Sequence, residues 1–289
     1  MLEQMAYADA YGVGFEFTDA KQMALHNPKE QGWRYVQHPK YSLRPGYYTD
    51  DTQMSLANCE VLLSGAYASE RAFADAWVNA FKRDERPGYA GRFYDFLRAI
   101  RSGDEFLQKI QPHSDRNGAA MRALPFGLLP DVADVMAVAA RQAAITHDSP
   151  TGRDSAVAVA LMSHYLYHRI GSKSDMAVWI ADKVAGPWRL PWDEGTPVSV
   201  NGIATAHAAI QLAAKLDSYS AILEKAVGLG GDTDSVAAIA CGAASLSPEF
   251  VMDIPQELKA GLENGTYGRE FLADLDKKMF EKFPRLHRA

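Results

Sequence analysis

The sequence predicts an all-α protein. Apolar residues recur at intervals of three and four along most of the chain, which places them on one face of a helix. Clear stripes run through residues 132–143, 156–167 and 203–213, and their many small residues let neighbouring helices approach closely. No run of alternating polar and apolar residues requires a sheet. With 289 residues, 47% of them hydrophobic, the chain can bury a large core.

Proline and glycine mark where the predicted helices begin and end. Arg44-Pro45-Gly46 precedes one helical stripe, and Ser149-Pro150-Thr151-Gly152 opens a long helix. Residues 186–192 form the longest non-helical stretch of the second half. The sequence shows no linker, low-complexity segment or short repeat. We therefore expect a single compact domain over residues 1–289.

Charge, cysteine content and apolar runs exclude several classes of protein. The net charge of −6 argues against binding nucleic acid through its phosphates. Cys59 and Cys241 are isolated in apolar, helix-like stretches and form a poor disulfide framework. The first residues show no signal-peptide pattern, and no apolar run is long enough to span a bilayer. We expect a cytoplasmic protein without membrane contact, and a monomer because nothing suggests a large interface.

Two clusters of acidic and hydroxyl side chains carry most of the functional information. The first is Thr49-Asp50-Asp51-Thr52, which precedes a helical stripe that begins at Met54. Carboxylate and hydroxyl oxygens are ligands that Mg²⁺, Mn²⁺ and Ca²⁺ prefer, and neither cluster contains the Cys or His that zinc favours. The alternative for the first cluster is an ordinary helix start, in which Asp and Thr cap exposed N–H groups.

The second cluster is Gly230-Gly231-Asp232-Thr233-Asp234-Ser235, at the head of the apolar stretch 236–244. Its glycines relax the backbone, so that consecutive N–H groups or carbonyls can face a ligand. Capping requires one side-chain oxygen, whereas Asp232, Asp234 and Ser235 supply three, and we therefore favour metal binding here. If the fold brings the two clusters together, they can hold a pair of ions and form a hydrolytic centre.

A third acidic element, Asp9 and Glu16, lies near the N-terminus. Glu16 stands between Phe15 and Phe17, after two glycines. A carboxyl group held against aromatic surface has a raised pKa and can take part in proton transfer. The alternative is a solvated loop acid flanked by aromatic residues of the core.

In this order, the motifs resemble those of the ADP-ribosylglycohydrolase family, over nearly the whole chain. A Thr146-His147 pair lies where the family often has the same pair. The ordered acidic motifs are specific when taken together. The four stretches that carry the resemblance are Ala8-Asp9-Ala10-Tyr11-Gly12 through Glu16, Thr49-Asp50-Asp51-Thr52, Asn117-Gly118-Ala119-Ala120-Met121-Arg122, and Leu229 through Ser235.

The resemblance implies a compact all-α fold with two Mg²⁺ ions, or Mn²⁺ as the alternative. It also implies cleavage of the bond between C1″ of ADP-ribose and an acceptor. Asp234 matches a bridging carboxylate, and Ser235 keeps the hydroxyl of the threonine that the family usually has. The residues that match metal ligands are Thr49, Asp50 and Asp51 for one ion, and Asp232, Asp234 and Ser235 for the other.

The resemblance gives further residues a role at the substrate. Glu16 or Asp51 is implied in proton transfer. For His147 the alternative is a helix-flanking histidine bonded to backbone. Arg116 replaces a glycine that the family often has, and it either reaches a phosphate or crowds its loop. The residues implied in substrate binding are Asn117, Gly118, His147, Gly230 and Gly231.

The expected partners are therefore ADP-ribosylated proteins or small molecules, with arginine-linked ADP-ribose favoured as the substrate. Two alternatives stand beside this interpretation. One is a two-metal hydrolase of another nucleotide or phosphate-bearing metabolite, and the other is a relative that binds ADP-ribose without turnover. We expect the loops around residues 87–91 and 186–195 to select the acceptor.

Overall fold

The structure is a computed structural model that describes residues 1–193 and 195–286. These residues form sixteen α-helices and three 3₁₀ helices without a β-strand, so the prediction of an all-α fold is confirmed. The α-helices are α1 (Leu2–Gly12), α2 (Ala20–Met23), α3 (Pro28–Gln31), α4 (Asp50–Ser64), α5 (Glu70–Arg83), α6 (Gly91–Ala99), α7 (Gly103–Lys109), α8 (Gly118–Met121), α9 (Val132–Ala144), α10 (Pro150–Tyr167), α11 (Met176–Ala181), α12 (Gly202–Lys215), α13 (Tyr219–Gly228), α14 (Thr233–Ala244), α15 (Gln256–Gly261) and α16 (Arg269–Lys282). The 3₁₀ helices are Val13–Phe15, Leu124–Leu128 and Lys173–Asp175.

The helix boundaries agree with the sequence pattern. The three apolar stripes lie on α9, α10 and α12. The hydroxyl of Ser149 accepts a hydrogen bond from the N–H of Gly152 at 3.1 Å, and so caps α10 where the sequence predicts its start. The non-helical stretch 186–192 lies in the loop between α11 and α12, in which Glu194 is outside the described residues. None of the helices described is both long and apolar enough to cross a membrane.

Helices α10 and α14 lie at the centre of the fold. Every residue of α14 is buried, and so is every residue of α10 from Ser155 to Tyr167. A helix with neighbours on all sides must be apolar all round, and small side chains let those neighbours approach. Accordingly α10 packs on α8, α9 and α12, and α14 packs on α1, α12 and α13.

Helix α1 packs directly against α14 and runs antiparallel to it. A Cβ atom added to Gly12, at the end of α1, would lie 2.5 Å from Cα of Asp234, at the start of α14. At the other end, a Cβ on Gly242 would lie 2.4 Å from Cγ of Met5. The Thr233 hydroxyl donates to the Gly12 carbonyl at 2.8 Å. These contacts direct the segment after α1 toward the second acidic cluster.

We predict that Gly12→Ala destabilises the protein. The new methyl group would meet the backbone of Asp234, which cannot move without shifting α14. The free energy of unfolding should therefore fall by about 2–3 kcal/mol, as for other overpacked sites. Denaturant titration measures this change.

The matched control is Gly228→Ala at an exposed position of α13, where an added Cβ meets no atom within 4 Å. Equal stability of the two variants would contradict the close packing of α1 on α14.

Candidate active site

Asp9 on α1 holds the first acidic cluster in place. Its carboxylate accepts hydrogen bonds from the backbone N–H and the hydroxyl of both Thr49 and Thr52, at 2.6 to 3.1 Å. The Thr49 hydroxyl therefore gives its proton to Asp9 and does not cap α4. Its lone pairs remain available for a cation. Asp50 and Asp51 follow in the first turn of α4, and both are buried.

The second cluster meets the first at the start of α14. Carboxylate oxygens of Glu16, Asp232 and Asp234 lie within 4.8 Å of one another. The Ser235 hydroxyl lies close to the carboxylates of both Asp51 and Asp232, and its single hydrogen can serve only one of them. The fold thus brings together side chains from the end of α1, the start of α4 and the start of α14, which are far apart in the sequence.

Two contacts direct Glu16 toward the cluster. Nε2 of His38 lies 2.9 Å from the Glu16 carbonyl oxygen. Because Nδ1 of His38 accepts from two backbone N–H groups, Nε2 carries the proton and donates it to that carbonyl. The N–H of Phe17 donates to the Gly231 carbonyl at 2.8 Å. Phe17 has φ +44°, a left-handed conformation that bulky residues rarely adopt, and its side chain is 45% exposed.

Burial and like charge raise the pKa values of the clustered carboxyl groups. Burial raises the pKa of Glu16 to about 8, and the negative charge of Asp232 adds to the effect, while the Tyr41 hydroxyl opposes it. The pKa values of Asp50, Asp51 and Asp234 lie well above the ordinary range, first through burial and then through neighbouring carboxylates. Such a group of buried acids is stable only when protonated or neutralised by a cation.

The donor set fits a hard divalent cation. Oδ1 of Asp51 is buried and has no hydrogen-bond partner in the described part of the chain. A buried carboxylate oxygen without a partner is costly, and a bound cation would satisfy it. The surrounding donors are carboxylate and hydroxyl oxygens, which suit Mg²⁺ or Mn²⁺ rather than zinc. The residues that could hold such ions are Thr49, Asp50, Asp51, Asp232, Asp234 and Ser235, together with Glu16.

A cleft of about 1640 Å³ opens above the acidic cluster. Asp50, Asp51, Asp232, Asp234, Ser235 and Glu16 form part of its lining. Of the five residues implied in substrate binding, the described lining includes Asn117, Gly118 and His147 but not Gly230 or Gly231. The His147 side chain bonds the Thr146 hydroxyl at 2.7 Å, so it is not the backbone-bonded histidine of the alternative interpretation.

The glycine turn supports neighbouring loops. The Gly230 carbonyl accepts from the N–H of Val198 at 3.0 Å, and the Gly231 carbonyl accepts from Phe17. A Cβ on Gly231, which has φ +78°, would lie 1.9 Å from the Val198 carbonyl oxygen. The turn therefore requires glycine at Gly231, and it contacts the loop before α12 and the Glu16 segment.

A sequence profile of the ADP-ribosylglycohydrolase family matches residues 5–287, nearly the whole chain. The chain belongs to the ADP-ribosylglycohydrolase family. It is therefore a hydrolase of glycosidic bonds, and the resemblance inferred from the motifs is confirmed.

Individual relatives of this ADP-ribosylglycohydrolase support the assignment. ADP-ribosyl-[dinitrogen reductase] glycohydrolase from Rhodospirillum rubrum is 28% identical over 264 residues, which cover 87% of this chain and 85% of that protein. An ADP-ribosylarginine hydrolase from Serratia proteamaculans is 24% identical over 253 residues, 81% of this chain and 66% of that protein. A solved chain of an ADP-ribosylglycohydrolase-related protein complex shares the fold, with a TM-score of 0.66, 20% identity, and coverage of 97% of this chain and 95% of that chain.

One of the two loops expected to select the acceptor lies at the cleft of this ADP-ribosylglycohydrolase. Residues 87–91 line the cleft, whereas the described residues of 186–195 do not. Gly88 has φ +106°, and a Cβ there would lie 2.1 Å from Oδ1 of Asp50 and 2.7 Å from Cβ of Thr49. Glycine thus lets the loop rest directly on the first acidic cluster.

Three contributors to the site are not evident from the sequence. The acidic character of Asp9 does not show that it is the common acceptor for Thr49 and Thr52. Gly88 resembles the rest of its loop, although a glycine after Pro87 is a signal for a special turn. Arg122 stands out in the sequence only as part of a motif, yet its buried guanidinium belongs to the cleft lining. Each of these roles depends on a contact between segments distant in sequence.

We predict that the metal-free enzyme loses stability as the pH rises from about 4.5 to about 8, the ordinary and folded-state pKa values of Glu16. Raised carboxyl pKa values mean that the folded state binds more protons than the unfolded state over this range, so the free energy of unfolding falls with pH. Added Mg²⁺ should reduce or reverse this fall, because it binds the ionised carboxylates. Melting temperatures across this range, with chelator or with Mg²⁺, test the prediction. A metal-free melting temperature that rises with pH would contradict it.

We predict that Gly88→Ala weakens metal binding by about tenfold or more, since it displaces the Asp50 carboxylate. Calorimetric titration with Mn²⁺ measures the affinity. Gly91→Ala is the matched control, because a Cβ at this exposed first residue of α6, at the end of the same segment, meets no atom within 4 Å. Equal Mn²⁺ affinities of the two variants would show that the loop does not shape the site.

Proposed function

We propose that this ADP-ribosylglycohydrolase is Mg²⁺-dependent and cleaves the C1″ glycosidic bond between ADP-ribose and an arginine side chain. The observation that carries the proposal is the convergence of Glu16, Asp232 and Asp234 beside the unpartnered Oδ1 of Asp51, at the surface of a large cleft. Buried acids in this arrangement suit hard cations, and the cleft is large enough for a nucleotide-sized ligand with its acceptor.

The chain's own residues would divide the task of holding the ions. Thr49, Asp50 and Asp51 approach from α4, and Asp232, Asp234 and Ser235 approach from α14. Asp9 fixes the position of the α4 ligands through its hydrogen bonds to Thr49 and Thr52. When bound, two divalent ions would orient the vicinal ribose hydroxyls and increase the acidity of an attacking water.

Proton transfer is assigned to Glu16 or Asp51. Bond cleavage at C1″ develops positive charge on the ribose, and a general acid assists the leaving group. Glu16 lies at the cleft beside exposed Phe17, and burial raises the pKa of its carboxyl group in the metal-free protein. Asp51 presents a free carboxylate oxygen deeper in the site. Ionised carboxylates around them would stabilise the positive charge on the ribose.

The ADP-ribose is proposed to lie along the wall that carries Asn117, Gly118 and His147. The Asn117 side chain is held by Asp232, which accepts from its Nδ2 at 2.9 Å, so the wall is joined to the acidic cluster. Arg116 is exposed at the cleft, where its positive charge suits the diphosphate. We propose that Gly230 and Gly231 act on the ligand through the loop that contains Val198, which they hold in place.

Charge supports arginine as the acceptor. A guanidinium group is a flat cation that stacks on aromatic rings and pairs with carboxylates. Glu16 and the exposed Phe17 are consecutive residues, and both line the cleft, so a carboxyl group and an aromatic ring are available there. A serine-linked substrate would bring no such charge. The relative from Serratia proteamaculans is named as an ADP-ribosylarginine hydrolase, in keeping with this preference.

The proposal predicts release of free ADP-ribose from arginine-linked ADP-ribosyl peptides in the presence of Mg²⁺, and much slower release from serine-linked peptides. Asp234→Asn should reduce turnover by at least about a hundredfold, since ion binding supplies several kcal/mol of transition-state stabilisation. The control is Asp217→Asn, because the Asp217 side chain is 85% exposed and does not line the cleft. Chromatographic measurement of ADP-ribose gives the rates.

Each other outcome of this experiment contradicts part of the proposal. Normal turnover and metal affinity in Asp234→Asn would remove the assigned metal centre. Faster release from serine-linked peptides would overturn the acceptor preference. Release of nucleotide or phosphate in place of ADP-ribose would favour the hydrolase of another metabolite, and ADP-ribose binding without turnover would favour the non-catalytic relative.

A further inference from the structure

A buried arginine, Arg122, forms part of the cleft lining. Arg122 follows α8 and is 1% exposed. Its guanidinium stacks on Trp77, 4.0 Å from the ring centre, and donates to Oε1 of Gln142 and to the hydroxyl of Thr146, both at 2.7 Å. Within the part of the chain that the structure describes, no carboxylate forms a salt bridge with it. Burying a charge without a carboxylate partner costs stability, and such a cost is typical of residues retained for function.

Arg122, Thr146 and His147 form a chain of two hydrogen bonds, and the donor in the first bond determines the donor in the second. A guanidinium can only donate, so the Thr146 oxygen accepts from Arg122. The single hydrogen of that hydroxyl is then directed at Nδ1 of His147, 2.7 Å away. The neutral imidazole must therefore carry its proton on Nε2. The opposite tautomer would leave the hydroxyl hydrogen of buried Thr146 without a partner, which is costly.

The Nε2 edge of His147 faces the cleft. The residue is 8% exposed, and it lines the cleft together with Gly118. A Cβ on Gly118 would lie 2.9 Å from Cε1 and 3.1 Å from Nε2 of His147, so glycine leaves room for this edge of the ring. Among the described residues, Nε2 has no hydrogen-bond partner. The Nε2–H group of His147 is therefore a nearly buried donor, and its acceptor would have to come from a ligand.

We propose that Arg122 and Thr146 are positioning residues that hold His147 as an Nε2–H donor to an oxygen of the ADP-ribosyl group. The identity of this ligand rests on the proposed function, whereas the proton arrangement follows from the protein alone. His147 then binds as a neutral donor and does not act as an acid or base. The positive charge of Arg122 opposes a second proton on the ring, and burial and this charge together lower the pKa of His147 to about 3.

The first experiment determines the tautomer without any ligand. Protein labelled with ¹⁵N at histidine is examined by long-range ¹H–¹⁵N correlation at neutral pH, and the His147→Gln variant identifies the His147 signals among those of the eight histidines. We expect a protonated Nε2 and an unprotonated Nδ1. A protonated Nδ1, or an imidazolium, would overturn the proposal.

The second experiment compares Thr146→Val with Thr146→Ser. Valine removes the hydroxyl that links Arg122 to His147, and serine keeps it. We expect calorimetric titration to show ADP-ribose binding about tenfold weaker in Thr146→Val, as for loss of an oriented hydrogen bond to a charged group. Thr146→Ser should bind within about twofold of the original protein. The Thr146→Val ring spectrum should also lose the single Nε2–H form, a change that a merely structural role would not produce.

The outcomes separate this proposal from the proposed function. Unchanged ADP-ribose affinity or an unchanged tautomer in Thr146→Val would overturn the positioning role, whatever the enzyme hydrolyses. Failure of the original protein to bind ADP-ribose would overturn the ligand assignment and count against the proposed function. In that case the ligand-free spectrum still decides whether Arg122 and Thr146 set the tautomer of His147.

Discussion

The carboxylate of Asp9 is the contact on which the rest of the site depends. It accepts hydrogen bonds from four donors, the N–H and the hydroxyl of both Thr49 and Thr52, and so fixes the first turn of α4 against α1. One turn further along α1, Gly12 lets the same helix touch the start of α14. A single helix therefore sets the distance between two acidic clusters that come from opposite parts of the chain. Its continuation then places Glu16 beside them.

This arrangement places several carboxyl groups close together in the protein interior, where their negative charges do not stabilise the fold. Burial and mutual repulsion disfavour ionised Asp50, Asp51 and Asp234, and an oxygen of Asp51 has no partner in the described residues. The tightly packed, alanine-rich helix α14 and its neighbours hold the acids in place despite this repulsion. Strained or costly arrangements that packing maintains are typical of functional sites. Here the cost would be recovered when cations bind.

Another part of the cleft lining carries positively charged and hydrogen-bond-donating side chains. Exposed Arg116, His147 and the buried Arg122 belong to it, next to Asn117. Asn117 bonds Asp232 and so links this wall to the acidic cluster. For the proposed ADP-ribosyl ligand, cations at the acidic cluster would face the ribose, and the donors would face the diphosphate.

Much of the fold and of the site could be predicted from the sequence, because local patterns report local structure. Helical stripes and the Ser149 cap located α9, α10 and α12, and clustered oxygens identified the candidate ligands in α4 and α14. Periodicity carries no information on which helices touch, so the sequence did not show that Asp9 bonds Thr49 or that Gly88 rests on Asp50.

The same limit applies to the proton on His147. The residues Arg122, Thr146 and His147 are visible in the sequence, but their donor and acceptor order exists only when α8 and the end of α9 are packed together. The sequence by itself therefore determined the helical class, the family and the oxygen chemistry of the site, since these depend on residue type and spacing. Only the tertiary structure decided which carboxylates come together, which glycines permit close approach and which nitrogen of His147 faces the cleft, because each depends on contacts between distant segments.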